Sequence, residues 1–142
     1  MTYATIQQLE DRFGHRLVLD LTDRADPPAG QIDVGVVDRA LTDTDALIDG
    51  YLKGRYVLPL AETPPLIVDL ALTIAIYKLH TYSPDPKIEE DYKMALRSLE
   101  MVGKGTIRLP VEGAEPKDTG GGGARVTDRE RPFSAATMKG FI

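Results

Sequence analysis

Between Leu66 and Tyr77 the only polar residues are Asp69 and Thr73. A helix that is apolar nearly all round must be buried on most of its sides. This stretch falls short of the roughly 20 apolar residues a bilayer span needs, and Asp69 interrupts it. The spacing therefore predicts a central core helix over Leu66–Leu79, with the rest of the chain packed around it. Pro64-Pro65 suits its start, because proline in the first turn forfeits no needed hydrogen bond and its φ is already helical. The preceding Tyr56-Val57-Leu58-Pro59-Leu60 is apolar, yet Pro59 disfavours helical backbone at Leu58. This linker is expected to lie extended across the core.

The other helices follow from periodicity and caps. Thr5 and Gln8 form a capping-box pattern ahead of Ile6, Leu9 and Phe13, and Gly14 sits where a glycine ends a helix. Helix one is read as 5–13. His15–Leu21 is read as a short second helix, with a strand as the alternative, because Leu17-Val18-Leu19 followed by Asp20 fits either period. From Asp33, Val37, Leu41, Thr44, Ile48 and Tyr51 recur at steps of three and four, predicting helix three over 33–53. Asp38, Asp43, Asp45 and Asp49 fall mostly on its other side, as an ordinary solvated face. Asp85 is a good N-cap with Pro86 at the first helical position. Ile88, Tyr92, Ala95, Leu96, Leu99 and Val102 then form one stripe, ending at Gly103. The expected class is mainly α: a bundle of four to five helices over residues 1–104, with short connections and antiparallel neighbours.

Beyond Gly105 the character changes. Thr106–Val111 alternates briefly and fits one strand. Glu112–Ala124 contains Gly120-Gly121-Gly122-Gly123 and has linker composition. These glycines do not make a phosphate loop, which needs spaced glycines and a following Lys-Ser/Thr. Arg125–Ile142 has only Phe133, Met138, Phe141 and Ile142 as large apolar residues, too few to fold alone. Residues 105–142 are therefore read as a long extended C-terminal arm hinged at 120–123. Its partner-binding residues are Arg125, Arg129, Arg131, Phe133, Met138 and Phe141. Such a segment stays mobile until it docks on something.

Charge and composition narrow the function classes. The chain has 142 residues, a net charge of −5 and no cysteine. The negative balance argues against a general nucleic-acid binder, and disulfides and thiolate metal sites are excluded. Residues 1–102 hold 17 acidic and 10 basic side chains, whereas 103–142 hold five and seven, an acidic body with a mildly basic tail. The start has neither a basic run nor an apolar run, so no secretory leader is expected. The loop Asp23–Asp33 is acidic, but counted as a calcium loop from Asp23 its positions 3, 5 and 12 are Ala25, Pro27 and Val34. His15 and His80 have no ligand or carboxylate at motif spacing. Ser83, Ser98 and Ser134 lie in no nucleophile elbow, and Glu89-Glu90 sits on a helix face. Asp69 and Thr73 are read as a polar seam whose buried carboxylate must find a cation, with Arg55 or Lys78 as candidates. No enzyme activity, metal or cofactor is expected.

The pattern Asp49-Gly50-Tyr51, Gly54-Arg55-Tyr56, Leu58-Pro59-Leu60, followed by the diproline helix, is similar to the small head–tail connector proteins of Mu-like tailed phages and prophages. The resemblance covers most of residues 1–105 and returns over Arg131–Phe141. It implies a structural virion protein of the neck, assembled in the bacterial host cytoplasm: an adaptor ring, typically of twelve copies, below the portal. Such a ring joins capsid to tail and extends the DNA channel. The implied partners are the portal protein, neighbouring copies and a downstream neck or tail-stopper protein. DNA would pass through the lumen without specific recognition, and no membrane is involved. The alternative reading is a monomeric adaptor or regulator that binds one partner through its arm.

Overall fold

A computed structural model describes residues 2–111. Five helices follow one another: α1 (Ile6–Phe13), α2 (His15–Thr22), α3 (Val34–Leu52), α4 (Pro65–Leu79) and α5 (Pro86–Lys104). No strand occurs among the described residues. α4 packs against both α3 and α5, which also touch each other, while α1 and α2 lie across α3 and α4. Ile67, Leu70, Ala71, Leu72, Ile74, Ala75, Ile76 and Leu79 of α4 are all buried, so its apolar circumference is matched by neighbours on most sides.

Local chemistry sets the helix ends. Thr5 caps α1 through the reciprocal capping box with Gln8, and Gly14 closes it at φ 90° with its N–H on the Glu10 carbonyl. The Asp33 carboxylate accepts from the N–H groups of Gly35 and Val36. Asp85 accepts from Lys87, with Pro86 opening α5. Each device satisfies backbone donors that a helix start leaves orphaned. His15–Thr22 is helical, which settles the helix-or-strand ambiguity. The Asp23–Asp33 loop is organised by Asp23, whose carboxylate accepts from Gly30 (2.8 Å) and Ala29 (3.0 Å). Those donors, Gly30 first, hold its pKa below the ordinary aspartate range.

The linker after α3 alternates in burial but is not the expected extended run: it turns after Leu52 and bends at Tyr56, Leu58 and Pro59. Tyr56 is buried and Leu58 and Leu60 pack on the core, while Val57 and Pro59 face out. Leu58–Pro59 is a cis peptide.

α5 runs past the expected stop. Gly103 is helical, and Gly105 is the left-handed terminator at φ 81°, with Gly105 and Thr106 N–H groups returning to the carbonyls of Val102 and Met101. Gly103 has a different task. A Cβ there would lie 2.7 Å from the Tyr51 carbonyl oxygen, so α3 and α5 approach closely near their C-terminal ends and run in the same direction. Gly103→Ala is expected to destabilise the bundle by about 1–3 kcal/mol through overpacking. Helix propensity alone would favour alanine by about 1 kcal/mol. Urea denaturation reads the sign, and a stabilised variant would mean the helices have room to separate.

Residues 106–111 do not form the expected strand. A strand needs a partner for its backbone groups, and among the described residues none lies alongside. Instead Leu109 is buried, and its N–H donates to the Tyr56 hydroxyl at 3.2 Å. The arm residues Arg125, Arg129, Arg131, Phe133, Met138 and Phe141, and the hinge at 120–123, lie outside the described residues.

Candidate functional site

An open groove of about 680 Å³ lies between α1, α4 and α5. It exists because burial of the α5 stripe fades toward that helix's N-terminus. Ala95, Leu99 and Val102 are buried, whereas Ile88 and Tyr92 are only half-buried. Phe13, Leu70, Ile76, Ile88 and Ala95 supply apolar lining. Met94 stands at the lip with 55% of its surface exposed. Met101, seven residues on, is exposed on the same face of α5.

Two ion pairs fence this lining. Arg12 of α1 reaches Asp69 of α4 at 2.5 Å, and Lys87 reaches Asp91 one turn along α5 at 2.7 Å. Both pairs are largely solvated, so each holds with at most about 1 kcal/mol and is open to exchange. The first pair corrects the sequence reading of Asp69. Its carboxylate is exposed, not buried, and its cation is Arg12 from α1 rather than Arg55 or Lys78. Thr73, in the middle of α4, donates its hydroxyl back to the Asp69 carbonyl one turn earlier at 3.0 Å. The two residues are no buried seam; they form one wall of the groove.

The other polar residues singled out from the sequence hold structure in place. His80 Nδ1 lies 2.7 Å from the Ile76 carbonyl, and His15 Nδ1 lies 3.0 Å from a Glu10 carboxylate oxygen. Glu89 and Lys93 form an exposed pair at 3.7 Å. The aspartates of α3 divide in two. Asp38 and Asp43 are solvated, but Asp45 accepts the Tyr3 backbone N–H at 3.0 Å and Asp49 accepts the Tyr3 hydroxyl. Burial raises the Asp45 pKa, partly offset by that N–H. Burial also raises the Tyr3 pKa, reinforced by its bond to Asp49. This clasp ties the N-terminus onto α3. Tyr77 and Tyr92 stack in parallel across α4 and α5 with ring centroids 3.8 Å apart. Among the described residues no cluster of three or more histidines and carboxylates is placed to hold a metal ion. No helix there is long and apolar enough to cross a membrane.

Sequence reasoning missed the groove itself. Its signal was present in Met94 and Met101, which fall outside the apolar stripe of α5 yet are large and apolar. The groove thus combines an apolar lining, an exposed and flexible methionine lip and two solvated ion pairs.

Known proteins extend these observations. The family model described as Bacteriophage Mu, Gp36 matches residues 3–128. The chain is 34% identical to gene product J of Escherichia phage Mu over 142 residues, all of both chains. It is also 34% identical over 116 residues, 82% of each chain, to the Mu-like prophage FluMu protein gp36 of Haemophilus influenzae. The match runs through the helical body and into the segment beyond Val111. The chain belongs to the bacteriophage Mu Gp36 family.

Proposed function

We propose that this phage protein is a head–tail connector. Copies of the helical body form a ring, of about twelve subunits by family resemblance, that sits below the portal, receives the next neck protein and continues the DNA channel. The observation that carries the reading is the end-to-end relation to gene product J of phage Mu, taken with the connector-like pattern from Asp49 to Leu60. Three physical features support it. The body is a tightly packed bundle suited to a building block. Residues 112–142 add a further 31 residues with a glycine run at 120–123, chain enough to reach neighbours. Residues 2–111 carry 17 acidic and 12 basic side chains, a balance that suits a channel past which DNA slides, because phosphates are held by Lys and Arg. A ring closes through heterologous contacts, in which a protrusion of one subunit meets a recess of the next.

Mixing the protein with the portal of the same phage, followed by negative-stain imaging, tests this. An added ring of density on one end of the portal is the expected result. Portals left bare in molar excess of the protein, with no co-migration on size exclusion, would overturn the proposal and favour an adaptor that works without a ring.

A further inference from the structure

We infer that the groove between α1, α4 and α5 is the seat of the chain's own C-terminal segment, residues 125–142, bound in cis in the free protein. Three observations converge on that occupant.

The first is the match of surface to segment. The groove has the volume of sites that enclose a few large side chains, an apolar lining and a flexible methionine lip. The segment offers Phe133, Met138, Phe141 and Ile142 with no core of its own to put them in. Aromatic anchors in an apolar recess are the usual source of binding energy in such contacts.

The second is reach. The described chain leaves the body near the C-terminal end of α5, where Leu109 is tied to Tyr56. From Gly105 back to the Asp91–Ala95 part of the groove is about 12 residues of helix, roughly 18 Å at 1.5 Å per residue. Residues 112–124 are 13 residues with the glycine run at 120–123. A glycine-rich linker of that length has a root-mean-square span of about 20 Å. A linker matched to its span gives the tethered segment a local concentration on the order of millimolar, far above that of arms on other molecules in a dilute solution. That favours the chain's own segment over a second copy's.

The third is charge. Residues 125–142 carry four basic and two acidic side chains, against an acidic body. Asp69 and Asp91 stand on the groove wall, each held by one solvated cation. Arg129 and Arg131 both precede the first aromatic anchor closely in sequence and can exchange into those pairs while Phe133 enters the groove.

This contact rests on the groove and the segment, not on the connector reading, and is tested on the isolated full chain. With no native cysteine, Ala136→Cys accepts a single nitroxide spin label between Phe133 and Met138. The probe is paramagnetic broadening of methyl resonances. Met94 and Ile88 methyls are expected to broaden severalfold more than those of Ile32, which is not part of the groove lining, and to do so unchanged on tenfold dilution. Phe133→Ala with Phe141→Ala should abolish the effect. So should Met94→Glu read at Ile88, a change at an exposed position that leaves the fold intact. Sharp groove methyls in the full chain would overturn the inference, as would broadening centred on another surface. Broadening that appears when spin-labelled and isotope-labelled copies are mixed, and that fades on dilution, would also overturn it by assigning the groove to a second copy's segment.

Discussion

Ile74→Asp is expected to abolish the cooperative fold at 25 °C. Ile74 has no exposed surface and lies in the middle of α4, whose neighbours leave a carboxylate nowhere to go. Removing the isoleucine side chain alone costs about 2–5 kcal/mol. Leaving a buried polar or charged group unpaired adds several more. Domains of this size hold about 5–15 kcal/mol in total, so the sum consumes most or all of it. Leu70→Asp on the same helix is the informative contrast. Leu70 is also buried, but it lines the groove beside Arg12, and its carboxylate can turn toward solvent and that guanidinium. It should lose a few kcal/mol yet still melt cooperatively. Far-UV circular dichroism with urea titration reads both. An Ile74→Asp protein that unfolds like its parent would show that α4 is peripheral and the packing wrong.

The contrast between those two positions also marks what can be read from a sequence. That α4 is the core follows from its composition, since only burial accommodates an element without a polar face. Caps at Thr5 and Asp85 were legible for a similar reason: their hydrogen bonds close within three residues, and no distant partner is needed. Asp69 shows where the reasoning stops. Periodicity says which helix is central but not how far its neighbours extend along it. α1 is only eight residues long and leaves Asp69 in water, where Arg12, 57 positions away, pairs with it.

Other readings failed because one residue type serves two purposes. Gly103 and Gly105 both look like helix terminators. Only Gly105 has the left-handed φ; Gly103 is there because Tyr51 of another helix is too close for a side chain. Thr106–Val111 alternates like a strand, but alternation describes the segment and not the missing partner. Asp45 and Asp49 had the spacing of a solvated face and instead hold Tyr3, more than 40 residues upstream. The groove was least legible, because it is defined by what does not cover Ile88 and Met94.

Deleting residues 125–142 is expected to leave the helical body folded while abolishing assembly with the portal. Every described helix lies before this segment and packs on the others without it, so the melting temperature should change by only a few degrees. Fixing such a segment costs about 1–2 kcal/mol per ordered residue in backbone entropy, which offsets much of what its few apolar contacts contribute to one chain. In a ring the balance differs. In the ring proposed above, neighbouring grooves would stand side by side, and an arm released from its own groove would meet an equivalent one on the next subunit. The proposed Phe133 and Phe141 contacts would then be repeated around that ring, adding an intersubunit link with little loss of intrasubunit energy, as in domain exchange. Truncation removes that link at every interface at once, so its effect on assembly should far exceed its effect on folding. Portal-bearing heads supplied with truncated protein should accumulate without tails, as counted by electron microscopy. Phe133→Ala with Phe141→Ala should reproduce most of the defect, whereas Arg125→Ala, near the hinge, should be milder. Normal necks built from truncated protein would show that the body alone makes the ring, and the arm's role would have to be sought elsewhere.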